Sequence, residues 1–397
     1  MRYPTFNSNP LTFELFEEGS FSGLDGVFGL GHPEFLNSRL KITLAVLFAW
    51  VPLLILSALQ GMAVGESRPE SFLLDASFQV RFLIALPIIL LVPGRVSAKL
   101  GAIVEHFLNA KLVKESERER FLSNVDSVMK LRRSRLADWL ILAVVYVTSA
   151  LLFRFVVPNL PPSWHTVAAE GHPRLSLAGW WFVGISEPFY EFVFYRFLYR
   201  IAIWWVFLWK TSRLDLRIDA AHPDGAGGLG FLGLTLCTFK EVAFAISATF
   251  AGGLAHIVLL THTRVTSYKY EILAVVIITT GIFACPLLFF HRLLAKAKSF
   301  GMLKYGTLWQ AQQRQFDEKW MQNPGEYPDM LAVADFSEAT DLSQILERVQ
   351  QIKLIPFGRK QIQPLIIAAL LPFLVVMTLQ FPVEDILKQI LKMGLKF

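Results

Sequence analysis

Long apolar stretches constrain the fold of this chain more than any other feature of its sequence. A helix crosses the hydrocarbon core of a bilayer with about 20 predominantly apolar residues. Stretches of that length lie at 40–61, 79–98, 138–158, 188–210, 240–261, 269–290 and 362–382. They predict an all-α polytopic membrane protein, with about six to seven transmembrane helices and a small helical cytoplasmic cap.

Composition supports the membrane class. Only 18% of the 397 residues are charged, whereas soluble domains average about 25%. The net charge of +6 comes from basic residues concentrated between the apolar stretches, so the expected partner is the lipid bilayer and not nucleic acid. The two cysteines, Cys237 and Cys285, lie in apolar segments and predict no disulfide. No cofactor is predicted, and residues 1–39 do not resemble a signal peptide.

The loop charges predict an orientation. Loop 95–136 carries ten Lys or Arg residues, segment 291–361 carries another ten, and 159–178 carries only Arg174. Because basic loops stay on the cytoplasmic side, we expect a multi-pass protein of the inner (plasma) membrane with a cytoplasmic N-terminus.

The same charges divide the chain into segments. We expect an interfacial or cytoplasmic segment at 1–39, a transmembrane core at 40–290 with a helical loop at 99–137, a cytoplasmic helical segment at 291–361, and a last span at 362–382. Within the first loop, 103–136 is predicted as one long helix that continues the second span. Residues 383–397 predict a basic amphipathic helix on a membrane surface. Seven crossings would place this tail outside, so a re-entrant piece at 226–240 or 240–261 stays an alternative.

The fourth span carries an unusual load of charge. Glu187 and Glu191 precede Arg196 and Arg200, and Pro188 is predicted in the first helical turn, with Ser186 or Glu187 as the cap. Counted from that start, Arg200 lies near the middle of the bilayer. An Arg at the centre of a span costs about 2.5–3.5 kcal/mol, so these side chains should face protein or water.

The spacing of these charges predicts partners on other helices. Glu191 and Arg196 are separated by about 140° around the helix axis, too far to pair well with each other. Arg154, at the end of the third span, is expected to meet Glu187 or Glu191. Further candidate partners are Lys240, Glu241 and Glu271. Two interpretations stay open: the charges line a pathway that favours anions, or they form buried ion pairs that fix helix packing.

A glycine-rich turn follows the fourth span and is a candidate cytoplasmic mouth or hinge, formed by His222, Asp224, Gly225, Gly227, Gly228 and Gly230. Three of its glycines match the spacing of a dinucleotide fingerprint, but no strand immediately precedes them, so nucleotide binding is not expected. The turn is interpreted as a packing element or hinge, as a pore entry whose amides meet an anion, or as a plain loop. Gly252 and Gly253 predict a close contact between helices.

The leading hypothesis from the sequence is a homo-oligomeric channel or transporter for a small ion or anionic solute. The first rival is a membrane-embedded enzyme acting on lipid or a lipid-linked group, with His222, Asp224, Glu187 and Glu191 as acid–base candidates. The second is a sensor or assembly protein whose helices at 103–136 and 303–354 bind a partner. No metal site is predicted, and no known catalytic motif occurs.

Overall fold

The computed structural model describes residues 13, 15–16, 38–65, 71–156, 163–169, 172–321 and 334–381. The predicted tail helix at 383–397 lies outside these ranges. In the described chain, seven helices are long and apolar enough to cross a membrane. The protein therefore has the all-α polytopic architecture that the sequence predicts.

The helices follow the apolar stretches, with short connections between most of them. In chain order they are α1 (Ser38–Leu59), α2 (Ala76–Asn109), α3 (Arg118–Arg132), α4 (Arg135–Leu151), α5 (Leu177–Thr211), α6 (Leu234–Thr238), α7 (Lys240–Thr261), α8 (Lys269–Ala284), α9 (His291–Phe316), α10 (Ala334–Gln350) and α11 (Arg359–Met377). An antiparallel hairpin of β1 (Thr166–Ala169) and β2 (His172–Leu175) precedes α5. The candidate spans are α1, α2, α4, α5, α7, the run from α8 into α9, and α11.

The centre of the bundle is α7, which packs against α2, α8 and α11. It is an unbroken helix of 22 residues, which is long enough to cross the bilayer as a single span. Gly252 lies directly against α2: a Cβ atom at this position would be 2.9 Å from Val80 Cβ. Gly253 has nothing within 4 Å, so only the first glycine of the pair makes the close helix contact.

The loop after α2 differs from the prediction of one helix across 103–136, which is wrong. The chain leaves the helix after Asn109, and Lys111 adopts a left-handed conformation with φ of 53°. This turn brings Leu112 and Val113 to the segment after α5, where Arg217 N donates to Leu112 O at 2.7 Å and Val113 bridges Leu216. A new helix, α3, begins only at Arg118. The contact with the segment after α5 thus interrupts a stretch of strong helix formers.

Of the four π-helical turns in the described residues, three lie within or at the end of apolar spans, at Arg81–Ala85, Leu152–Val156 and Phe182–Ser186, and the fourth follows α9 at Asp317–Met321. In the first and third of these turns the helix continues, and a proline is the second residue after the turn: Pro87 and Pro188. Proline has no N–H to donate, so a helix that continues through it must rearrange the preceding turn. In α5, for example, Glu187 N–H donates to Phe182 O, five residues back. Each of the three turns in the apolar spans carries a charged residue or directly precedes one: Arg81, Arg154 and Glu187.

Candidate functional site

The helix that carries the fourth-span charges begins earlier than the sequence predicts. Ser176 caps α5, and its Oγ accepts a hydrogen bond from Gly179 N at 2.9 Å. Pro188 therefore lies inside a continuous helix of 35 residues, and neither Ser186 nor Glu187 is its cap. The prediction failed because a wide turn absorbs the proline. The midpoint between residues 177 and 211 is Phe194, so Glu191 and Arg196 flank the helix centre and Arg200 lies farther along.

Glu187 forms an ion pair with Arg81 of α2. Both side chains are largely buried, with 13% and 21% of their surface exposed. The guanidinium also lies over the rings of Tyr190 and Phe78, 5.5 and 5.9 Å from their centroids. Arg81 Nε and Glu187 Oε2 are buried and make no hydrogen bond to any described residue. One hydrogen-bond donor and one acceptor of this ion pair are therefore without a partner among the described residues.

Glu191 lies one helical turn beyond Glu187 and contacts a hydroxyl group instead of a cation. Its Oε2 is 3.2 Å from Thr148 Oγ1 of α4, and the same hydroxyl lies 2.8 Å from Val145 O. A threonine hydroxyl has one proton to donate, so it cannot donate to both acceptors at once. In the described part of the chain, Glu191 forms no ion pair. A protonated Glu191 would donate to Thr148 while Thr148 donates to Val145, and both contacts would then be satisfied.

The arginines of α5 occupy two different environments. Arg196 pairs with Asp138 near the start of α4, with Nε 3.3 Å from Oδ1. Arg200 donates from Nη1 to the carbonyl of Phe16 at 3.2 Å. Tyr199, which lies between the two arginines in the sequence, donates from its hydroxyl to Leu131 O at 2.9 Å. The arginine nearer the helix centre is thus neutralised by a carboxylate, and the second one contacts a backbone oxygen.

The expectation that the α5 charges seek partners on other helices is confirmed for Glu187 and Arg196. The partner expected for the glutamates is wrong, because Arg154 pairs with neither of them and its guanidinium lies over the ring of Phe155 at 5.7 Å. Glu241 pairs instead with Arg95. Sequence reasoning missed Arg81 and Asp138, although both lie inside predicted spans, where any charged residue is a signal.

Three separate contacts thus connect α5 to α2 and α4 through polar side chains, here together called the polar row: Arg81, Glu187, Glu191, Thr148, Arg196 and Asp138. Glu187 and Arg196 are nine residues apart, or about 13 Å along the helix. Two cations and three carboxylates give the row a formal charge of −1 when all of them are ionised. The charge that no described residue balances belongs to Glu191.

A second cluster of ionisable groups lies at the end of the bundle where α2 and α5 begin. Asp75 caps α2 and is 2% exposed. His256 Nδ1 lies 3.1 Å from Asp75 Oδ1, and Trp164 Nε1 donates to Oδ2 at 3.0 Å. Burial acts to raise the pKa of Asp75, but the contacts with His256 and Trp164 outweigh it and lower the pKa. Burial lowers the pKa of the nearby His165 to about 4, so this imidazole is neutral at pH 7.

The glycine-rich turn is organised around the Asp224 carboxylate. Oδ1 accepts hydrogen bonds from the amides of Ala226 and Gly228 at 2.8 and 3.1 Å, and Oδ2 accepts one from Gly230 at 2.8 Å. His222 Nδ1 lies 2.9 Å from Oδ1. Partial burial acts to raise the pKa of Asp224, but these amide bonds and the histidine outweigh it and lower the pKa. The amides that would meet an anion at a pore entry are therefore engaged by a carboxylate of the chain itself.

The backbone of this turn requires glycine at several positions. Gly225, Gly227 and Gly228 all have positive φ, between 62° and 91°, a region that L-residues rarely adopt. A Cβ atom at Gly227 would also collide with Ile218. The turn is fastened to the segment after α10, because Lys353 N donates to Gly225 O at 2.9 Å. These contacts favour a packing element over a flexible hinge.

Other kinds of site find little support in the described ranges. There, no three His, Cys, Asp or Glu side chains converge into a set that could hold a metal ion. His222 and Asp224 do converge, but both Asp224 oxygens already accept hydrogen bonds, and this ties the carboxylate to the turn. No family model matches the chain, and no curated protein or solved structure is significantly similar to it.

Proposed function

We propose that this integral membrane protein is a transporter that moves protons across the bilayer through the polar row, with Glu191 as the group that binds the proton. The observation that carries the proposal is the contact of Glu191 with Thr148. Glu191 lies three residues from the midpoint of α5, and no described cation pairs with it. Ionisable residues inside a span are costly in hydrocarbon, and they characteristically mark ion pathways and proton relays.

The neighbouring ion pair supports the same proposal. Glu187 and Glu191 are one turn apart, and Arg81 acts electrostatically on both. An ionised Glu191 can therefore compete with Glu187 for the same guanidinium, whereas a protonated Glu191 leaves the Arg81–Glu187 pair undisturbed. Loading and release of the proton would then be coupled to a rearrangement of this pair. The wide turns at both partners offer a place where the helices can adjust, because π-helical turns are often found at functional sites.

The preference for anions, expected from the arginines, stays a prediction with less support. Arg196 is neutralised by Asp138, and Arg200 lies beyond the helix centre. The rival of a membrane-embedded enzyme is also weaker, because its candidates fall into two separate sites. His222 and Asp224 belong to the turn after α5, and Glu187 and Glu191 belong to the polar row. Homo-oligomerisation stays a prediction as well, since lipid accounts for the exposed apolar side chains of a spanning helix such as α4.

Proton flux into proteoliposomes tests the proposal directly. Purified protein is reconstituted with a pH-sensitive dye inside, and a potassium diffusion potential is imposed with valinomycin. We expect a flux well above that of empty liposomes, and we expect Glu191→Gln to reduce it to the background. Glu271→Gln is the matched control, because it makes the same chemical change at an exposed glutamate at the start of α8.

Two outcomes would overturn the proposal. One is a wild-type flux no greater than that of empty liposomes at any potential, and the other is an unchanged flux in Glu191→Gln. Replacing chloride with a larger anion distinguishes proton transport from anion transport. An anion pathway would be established if the flux changed with the identity of the anion, and if Arg200→Gln abolished it while Glu191→Gln did not.

A further inference from the structure

A groove of about 550 Å³ lies between α2, α7 and α11, apart from the polar row. Its walls are apolar and are formed by Ile88, Leu91, Phe244, Pro364, Ile367, Ala368 and Leu371. Three of these side chains are 45–53% exposed: Leu91, Ile367 and Leu371. The walls therefore open toward the bilayer and not toward the interior of the bundle. The volume falls within the roughly 300–1,000 Å³ typical of ligand pockets.

One end of the groove is polar, and it is formed by Arg95, Lys240, Glu241 and Gln363. Arg95 and Glu241 neutralise each other through two contacts of 2.8 and 3.2 Å. Lys240 is exposed and pairs with none of the described residues. The charge that remains at this end is thus a single positive one, at the mouth of an apolar groove.

Backbone and neighbouring charges add to the positive potential at the same end. Lys240 is the first residue of α7, whose N-terminal amides carry the positive end of the helix dipole. Gln363 lies in the second turn of α11, which begins with Arg359 and Lys360 at the same polar end. Both of these residues are exposed. The groove thus offers apolar walls along the spans and an uncompensated cation where the spans begin.

We propose that this groove binds an anionic phospholipid of the surrounding bilayer, with an acyl chain against Leu91, Ile367 and Leu371 and the phosphate near Lys240. Basic pockets between spanning helices bind the headgroups of anionic lipids, and the long apolar walls suit a hydrocarbon chain. The proposal is independent of proton transport, because the groove shares no residue with the polar row.

Native mass spectrometry of the full chain tests this binding. The protein is delipidated in detergent and titrated with phosphatidylglycerol or with phosphatidylcholine of the same acyl chains. We expect the wild type to retain phosphatidylglycerol preferentially. Lys240→Gln should weaken phosphatidylglycerol binding roughly fivefold, equal to about 1 kcal/mol for one basic residue, and should leave phosphatidylcholine binding unchanged. Lys99→Gln is the control, because Lys99 is an exposed basic residue of α2 that does not line the groove.

A second variant tests the apolar part of the site. Ala368→Trp places a large ring in the groove and should reduce the binding of both lipids, and the size-exclusion profile and helical circular dichroism verify that the variant is folded. The proposal is overturned if the wild type binds both lipids equally, or if Lys240→Gln and Lys99→Gln behave alike. It is also overturned if folded Ala368→Trp binds as much lipid as the wild type.

Discussion

Replacing Asp224 with alanine tests whether the glycine-rich turn is a structural clamp. The substitution removes both carboxylate oxygens and leaves three backbone amides without their acceptor, those of Ala226, Gly228 and Gly230. Because the turn also holds the segment after α10 through the Lys353 amide, its loss should loosen contacts well beyond the loop. We expect a clear loss of stability with no change in the spans themselves.

The magnitude follows from the exposure of the three amides. A buried donor that loses its acceptor costs about 1–3 kcal/mol. Ala226 is 2% exposed, so water cannot easily replace the carboxylate there. Gly228 and Gly230 are partly exposed, and water can recover part of their hydrogen bonding. The expected total is roughly 2–4 kcal/mol, close to the cost of one full and two partial losses.

The free energy of unfolding is measured in mixed micelles by titration with a denaturing detergent. Asp215→Ala serves as the control: its carboxylate pairs with Lys114 but is 68% exposed, so its removal should cost only about 0–1 kcal/mol. Asp224→Asn keeps one acceptor oxygen and should fall between the two. If Asp224→Ala is no less stable than Asp215→Ala, the amide contacts do not stabilise the turn and the reasoning is wrong.

Acid should weaken the same clamp. Because the pKa of Asp224 is lowered in the folded protein, its contribution is fully present above the unfolded aspartate value of about 3.9. It is lost as the pH falls below that value toward the lower folded pKa. Between pH 5 and pH 3 the wild type should therefore lose more stability than Asp224→Asn, and equal losses would contradict this assignment.

Three further predictions concern the bundle itself. Gly252→Leu should destabilise the protein by several kcal/mol or prevent its folding, because the new side chain would overlap Val80. Gly253→Leu is the control and should be tolerated, because nothing lies within 4 Å of its Cβ position. Thermal unfolding compares the two variants. Arg81→Met should cost about 3–5 kcal/mol by leaving a buried carboxylate without its cation, and a second change, Glu187→Met, should restore most of the loss. The pKa of His165 is about 4 in the folded protein and about 6.5 in the unfolded chain. As the pH falls below about 6.5, the unfolded chain therefore binds a proton before the folded protein does, and the folded state loses stability. His165→Gln should therefore reduce the loss of stability between pH 7 and pH 5, by at most about 2 kcal/mol. An equal loss in wild type and variant would contradict the burial of this imidazole.

The positions of the spans could be predicted because they depend on local composition. The stretch 240–261 coincides with α7, and the stretch 362–382 overlaps α11 with a shift of a few residues. The start of α5 was missed because proline usually marks a helix boundary, whereas here the helix continues through Pro188 by means of a wide turn. A pattern of residues does not reveal whether the surrounding helices will hold such a turn together.

The candidate site was predictable only in part. The charges of α5 indicated that it faces protein or water, and the partners of Glu187 and Arg196 indeed come from other helices. Which residues they are could not be deduced, since Arg81 precedes Glu187 by 106 residues in the sequence. The glycines after α5 likewise suggested exposed amides, until the structure placed the Asp224 carboxylate among them.

The sequence by itself determined that this chain spans a membrane through helices and that α5 carries charges that lipid does not tolerate. Both follow from the free energy of placing each residue type in hydrocarbon, which depends little on the neighbours. Only the tertiary structure decided which charges are neutralised and which are not. Arg196 meets Asp138, Glu187 meets Arg81, and Glu191 meets the hydroxyl of Thr148. Such pairings depend on the rotation and register of packed helices, because a shift of one residue turns a side chain by about 100°.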